Sequence, residues 1–351
     1  MRIAEIAPLT EAVPPKSYGG TERVVSWITE ELVRMGHEVT LFASGDSETT
    51  ARLDAVWPVA LRFDSRVLDP FALHMLMLER VRQRAAEFDV LHFHLDYMPF
   101  SLFLRQSTPF VTTLHGRLDL LEHQPVFTAF SRAPVVAISH AQRKFIPQAG
   151  WVATIPHGLP ADLLTPQPVK PSYLAFLGRI AREKRVDRAI RIAARCGLPL
   201  KIAAKIDRAD RDYFENEIEP LFQLPHVDYV GEITDAEKSD FLSGAIALLS
   251  PIDWEEPFGL VMIEAAACGT PAIVWPHGAA PEIIEPGVTG YLVTSEDEAV
   301  AAVAQASQLS RPQIRRRFEA RFTARRMAED YLRVFRTIMD EEPAENFLRS
   351  A

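Results

Sequence analysis

The sequence predicts two doubly wound, parallel-sheet α/β domains, and three observations carry that prediction. Short apolar runs alternate with longer amphipathic ones along the whole chain. The short runs are near-continuous stretches of β-branched residues and leucine, as in strands buried on both faces of a parallel sheet. Residues 159–172 break the pattern with Pro160, Pro166, Pro168 and Pro171 and little apolar period, which suits a connection between domains. The 351 residues are also long for one core and comfortable for two, since domains run to about 100–200 residues.

The strand-like runs of the first half are residues 2–9, 38–44, 90–95, 110–114, 134–139 and 152–156. Those of the second half are 173–177, 200–206, 227–230, 245–250, 271–275 and 290–293. Helical periods lie between them. In residues 21–35, Val24, Val25, Ile28, Leu32 and Met35 follow helix spacing, and Gly36 stands where a C-cap belongs. Residues 182–195 are similar and end near Gly197. Two further helical stretches, 311–322 and 324–339, precede a polar tail expected to fray. The expected domains are residues 1–160 and 161–322, followed by a terminal helix within 323–345.

Composition narrows the function classes. Hydrophobic residues make up 48% and charged ones 24%, which excludes wholesale disorder. A net charge of −9 argues against wrapping a polynucleotide but leaves room for a small anionic ligand. Cys196 and Cys268 lie in helix-like stretches without metal spacing, so both are expected to be buried and inert in a reducing compartment. Met1-Arg2-Ile3-Ala4-Glu5 places charge where a secretory signal would be apolar, and no apolar run reaches the about 20 residues of a membrane span. The expectation is a soluble cytoplasmic protein.

The sharpest chemical signal is the pair Glu256 and Glu264 after the run 245–250. Phe258-Gly259-Leu260-Val261 would open a helix there, whose free N–H groups and positive dipole end favour a phosphate. A spacing of eight on a helix returns to nearly the same face, placing Glu264 two turns below Glu256. Gly178-Arg179 ends the run 173–177, with Lys184 five residues later. A guanidinium fork and an ammonium at a strand's carboxyl end suit a diphosphate. Gly19-Gly20, following Tyr18, could let a helix start approach a phosphate, although the pattern is not a dinucleotide fingerprint and a tight turn explains it equally well. His115 ends the run 110–114. His92, His94 and Asp96 alternate and could share one face, where acceptor binding or edge polarity is a better reading than a metal. No metal or other cofactor is expected. Arg311, Arg315, Arg316, Arg317, Arg321, Arg325 and Arg326 scatter around their helices and read as solvated charge, with a membrane-touching face as a minor alternative.

Together these residues resemble the retaining glycosyltransferases of family 4, which have the two-Rossmann GT-B fold, and the resemblance covers nearly the whole chain. Its most specific part is the E-x7-E segment 256–264, continued by Ala-Ala-Ala-Cys-Gly-Thr-Pro-Ala-Ile-Val. Gly178-Arg179 with Glu183-Lys184, Gly19-Gly20, Thr113-Leu-His-Gly116 and Gly290-Tyr-Leu-Val293 support it. The final helix resembles the one that crosses back to the first domain in such folds. The resemblance implies a donor diphosphate held by Arg179, Lys184 and the backbone at Gly19, Gly20 and Phe258, Gly259, Leu260 and Val261. It implies Glu264 on the ribose, Glu256 on hydroxyls of the transferred sugar, and His115 near the anomeric centre.

A UDP-hexose, UDP-glucose first, is the implied donor, and a small molecule, glycan or lipid-linked molecule the acceptor, read by loops near Tyr18, His94 and Asp96. The start of the chain and Phe-Ala-Ser-Gly-Asp-Ser also look similar to sequences labelled tetrahydrobiopterin glucosyltransferases. Two departures stand out: Arg185 replaces a glycine common after Glu-Lys, and His157-Gly158 replaces Asn-Gly. A sugar-nucleotide epimerase and a non-catalytic sugar-nucleotide binder are the rival readings.

Overall fold

The computed structural model describes residues 1–16 and 19–340. Tyr18 and the expected polar tail beyond residue 340 lie outside the described residues. The chain divides into two compact units, residues 1–158 with 324 onward, and residues 159–323.

The first unit is built on a sheet of seven strands: β1 (Arg2–Ile6), β2 (Glu38–Ser44), β3 (Arg52–Trp57), β4 (Val90–Phe93), β5 (Phe110–Leu114), β6 (Pro134–Ala137) and β7 (Gly150–Thr154). Their order is β3-β2-β1-β4-β5-β6-β7, with neighbours parallel. The strand β3 is absent from the sequence expectation of six. As an edge strand it alternates between exposed and buried residues, so it lacks the continuous apolar run that marks its neighbours. Four other strands shift: β1 stops at Ile6 rather than residue 9, β4 at Phe93 rather than residue 95, β6 at Ala137 rather than residue 139, and β7 spans Gly150–Thr154 rather than residues 152–156.

The helix Ala324–Asp340 belongs to this first unit. Met327, Tyr331, Leu332, Phe335 and Ile338 recur at helical spacing and are buried. Arg326 donates to the carbonyls of Pro156 and His157 at 2.7 and 3.1 Å, which fastens the helix beside β7.

The second unit has six strands: β8 (Tyr173–Arg179), β9 (Leu200–Lys205), β10 (Val227–Gly231), β11 (Ala245–Ser250), β12 (Ala272–Val274) and β13 (Gly290–Leu292). Their order, β10-β9-β8-β11-β12-β13, is parallel throughout. Each sheet therefore reverses its winding once, between β1 and β4 and between β8 and β11. Crevices outside the carboxyl ends of strands at such switch points are where open α/β sheets bind ligands.

Several arginines read as solvated are in fact structural. Arg315 donates to the carbonyls of Ala161, Leu164 and Ala267, tying the connection after residue 158 to the second unit. Arg311 reaches the carbonyls of Ser243 and Ala245, and Arg321 those of Glu282 and Ile283. The connection is further held by Thr165 and Gln167, whose N–H groups donate to Ser239 and Ser243 at 3.1 and 3.0 Å. Of the two cysteines, Cys268 is buried but Cys196 is half-buried, at the last turn of its helix.

Candidate active site

In the second unit, the charged candidates converge at the β8/β11 switch point as ion pairs. Arg179, the last residue of β8, meets Glu183 at 2.7 Å and Asp210 at 3.0 Å. Lys184 pairs with Glu256, and the Trp254 indole N–H donates to the same carboxylate oxygen at 3.0 Å. The loop after β11 is tied to the loop after β8 by the Asp253 N–H, which donates to the Glu183 carbonyl at 2.8 Å.

The helix that follows is Leu260–Ala267, so Glu256 is not on it, contrary to the sequence expectation. Gly259 precedes it with φ 93°, a left-handed residue that breaks the path between the two glutamates. Glu256 stands in the loop instead, and only Glu264 rides the helix. No side chain among the described residues caps this helix, leaving its first N–H groups at Leu260 and Val261 for a ligand. Gly278 supports the loop from behind: its φ is 57°, and a Cβ there would fall 2.1 Å from the Glu256 carbonyl oxygen. Phe258, expected to lend its backbone, buries its ring against Phe322.

Glu264 is 5% exposed and is paired at 2.6 Å with Lys238, which also meets Asp235 at 3.2 Å. Sequence reasoning missed Lys238. Its signal was available, since Lys238, Phe241 and Leu242 share one face of the helix Asp235–Ser243, where a lysine is out of place. The departure at Arg185 also finds its reason. Its φ of 55° is the left-handed conformation that favours glycine, and Asp187 and Asp253 hold its guanidinium at 2.9 and 2.8 Å. Beside these pairs lies a cavity of about 740 Å³ lined by Arg182, Arg185, Tyr213, Glu217 and Asp253 among others. It shares Glu183, Arg185, Asp187 and Asp253 with the residues above but none of Arg179, Lys184, Glu256 and Glu264, and Arg182, Arg185, Asp187, Glu217 and Asp253 pair with one another.

In the first unit, the candidates at the β1/β4 switch point are neutral and buried. His92 Nδ1 lies 3.1 Å from Glu5 Oε1, and His94 Nε2 lies 2.8 Å from Glu5 Oε2. His94 Nδ1 meets His115 Nε2 at 2.8 Å, while His92 Nε2 meets the Thr113 hydroxyl, which meets the Tyr331 hydroxyl, each at 2.8 Å. Burial pushes His92 down to about 3 and His94 to about 4, and lowers His115 as well. The same burial raises Glu5, opposed by its hydrogen bond from His94. His157, unassigned from sequence, is buried and stacks on His115 with ring centroids 5.2 Å apart. Gln142 clamps the loop carrying His115 by donating to the carbonyls of Leu114 and Gly116 at 2.9 and 2.8 Å.

Asp96 does not join His92 and His94 on one face. It lies beyond the end of β4 with φ 48° and is exposed, and Glu5 from β1 takes the place beside the two imidazoles. Glu5, His92 and His94 are also the one cluster of potential metal ligands among the described residues. Gly19 and Gly20 do head a helix, Gly20–Arg34, but Gly19 is packed against Pro15, and the first turn already carries the buried carboxylate of Glu22.

Two doubly wound parallel units with their polar residues at the strands' carboxyl ends make the GT-B architecture, and solved structures share it. The sucrose-phosphate synthase of Thermosynechococcus elongatus matches with a TM-score of 0.79 at 22% identity, over 96% of this chain and 98% of that one. The family model described as Glycosyltransferase Family 4 matches residues 18–163, and that described as Glycosyl transferases group 1 matches residues 165–324. The chain belongs to the family 4 glycosyltransferases. It is 25% identical to the phosphatidyl-myo-inositol mannosyltransferase of Mycobacterium leprae, over 96% of this chain and 97% of that protein. It is 26% identical to a GDP-mannose-dependent alpha-(1-6)-phosphatidylinositol dimannoside mannosyltransferase of Mycobacterium tuberculosis, over 95% of each.

Proposed function

We propose that the protein is a retaining hexosyltransferase that moves a sugar from a nucleoside-diphosphate donor to an acceptor hydroxyl. The observation that carries this reading is the set of exchangeable ion pairs around the uncapped start of the helix Leu260–Ala267. Breaking the bond between the anomeric carbon and phosphate leaves positive charge on the sugar and negative charge on the departing nucleotide. Arg179 and Lys184 each stand at a carboxylate that phosphate oxygens can replace, so their charge meets the leaving group with little reorganisation. Glu256, released from Lys184, accepts from hydroxyls of the sugar, and Glu264 from the ribose. His115 contacts the transferred sugar, as the family resemblance implies.

UDP-glucose is the donor that the family resemblance favours. GDP-mannose is the second reading, favoured by the names of relatives aligned over nearly their full length, which also bring a lipid-borne inositol acceptor into consideration. No helix among the described residues is long and apolar enough to cross a membrane. The cations take the place a divalent metal would fill, and turnover is expected to survive excess EDTA.

The test is incubation of the purified protein with UDP-glucose and GDP-mannose, each with small-molecule, oligosaccharide and phosphatidylinositol acceptors. Transfer with retained anomeric configuration supports the reading. Release of an epimerised sugar nucleotide without acceptor, or binding of both donors without turnover, would replace it with one of the rival readings.

A further inference from the structure

The buried polar file of the first unit has a direction that can be worked out atom by atom. It runs Tyr331, Thr113, His92, Glu5, His94, His115, joining residues of β1, β4, β5 and the final helix. An ionised Glu5 can accept from both imidazoles, one at each carboxyl oxygen. Each neutral imidazole carries a single N–H. If His94 spends its N–H on Glu5, its Nδ1 is left as an acceptor, and the His115 Nε2 at 2.8 Å must donate to it. On the other side, His92 Nε2 accepts from the Thr113 hydroxyl, whose oxygen accepts from Tyr331. Every donor and acceptor named is then matched but one. His115 Nδ1 is left with a bare lone pair, buried and without a partner among the described residues. A protonated Glu5 could instead donate to His94 and reverse the bonds as far as His115, whose Nδ1 would then carry the hydrogen. The direction of the Glu5–His94 hydrogen bond therefore decides what His115 offers.

We propose that Glu5, ionised and acting through His94, is a positioning residue that fixes His115 as the Nε2–H tautomer, so that Nδ1 accepts a hydrogen bond from a hydroxyl of the bound sugar. Two charge-assisted N–H bonds favour the carboxylate against its burial, and the orphaned Nδ1 is where a donating hydroxyl belongs. The contact with sugar rests on the function proposed above, whereas the tautomer does not.

The imidazole nitrogens of the full-length protein, labelled with ¹⁵N at histidine, report the tautomer at neutral pH without any substrate, with His115→Gln identifying the signals. Wild type is expected to show His115 wholly as Nε2–H. Glu5→Leu, which removes both acceptor oxygens, is expected to release His115 into a mixture of tautomers. Thr113→Val, which cuts the file beyond His92, is expected to leave His115 unchanged. With UDP-glucose or GDP-mannose, whichever turns over, Glu5→Leu should lower kcat at least about tenfold while the affinity for UDP or GDP stays within about twofold. An Nδ1–H tautomer in wild type overturns the proposal even if Glu5→Leu does not fold. So does an unaltered His115 spectrum in folded Glu5→Leu, or one equivalent of tightly bound zinc, which would take His94 Nε2 and move its hydrogen to Nδ1, where it could no longer accept from His115. If neither donor turns over, the function reading fails while the tautomer result still stands.

Discussion

The two units place their polar residues at equivalent switch points but prepare them in opposite ways. In the second unit every charged candidate already holds an opposite charge: Arg179 with Glu183 and Asp210, Lys184 with Glu256, Lys238 with Glu264. In the first unit the candidates are imidazoles and hydroxyls in a core where burial holds the histidines neutral. Ion pairs at a partly open surface can change partners when an anion arrives. Buried neutral imidazoles held on one carboxylate cannot, and they offer a fixed direction of hydrogen bonding instead. One unit is built to receive charge, the other to present oriented groups without adding any.

If that contrast is right, the largest loss of rate comes from the second unit. Lys184→Ala removes one charge-assisted contact to the leaving group and should lower turnover on the order of a hundredfold or more while the protein still folds. A steady-state assay beside a melting curve checks both halves of this expectation. Normal turnover would mean that the Lys184–Glu256 pair is structural.

Glu264→Gln should act mainly on stability, because it leaves the buried Lys238 ammonium with Asp235 alone. Breaking a buried pair from one side costs about 3–5 kcal/mol, and Asp235 should hold the loss near the lower figure. Denaturant unfolding measures it, and a change below about 1 kcal/mol would show that this pair is far better solvated than its burial implies.

The smallest effect belongs to the first unit and appears as a pH dependence. His92 and His157 are held at about 3 and His94 at about 4, below the ordinary value of 6.5. The unfolded chain therefore binds more protons than the native one between those values, and stability falls as pH drops below about 6.5. Four carboxyls that desolvation raises, Glu5, Glu22, Asp96 and Asp210, act with the opposite sign, but they are fewer than the five lowered histidines, which include His37 and His115. The melting temperature should decline between pH 6.5 and 4.5, before most carboxylates titrate. A flat profile over that range would mean that the histidines are less isolated from water than their burial indicates.

The same contrast explains what could be seen in the sequence. Arg179, Lys184, Glu256 and Glu264 are legible because they lie just after strands whose continuous apolar runs announce them. Their pairing was not, since Gly259 takes the chain out of the helix that spacing alone would draw through both glutamates. The file in the first unit is nearly invisible in sequence. Glu5 and His92 are 87 residues apart, His92 and Thr113 are 21 apart, and Thr113 and Tyr331 are 218 apart. One clue was present, an acid inside the apolar run of β1, and it reads as a mere charge until the parallel register sets Glu5 beside His92. The strand β3 was hidden by its half-exposed edge position.

The central claim is that the second unit's paired cations receive the diphosphate, and nucleotide binding tests it without knowledge of sugar or acceptor. Calorimetric titration of UDP and of GDP into wild type, Arg179→Ala and Lys184→Ala would measure it. The account predicts that at least one nucleotide binds wild type and that each variant loses about tenfold or more in affinity for it, with the loss shrinking at high salt. Equal affinity in all three proteins would contradict it.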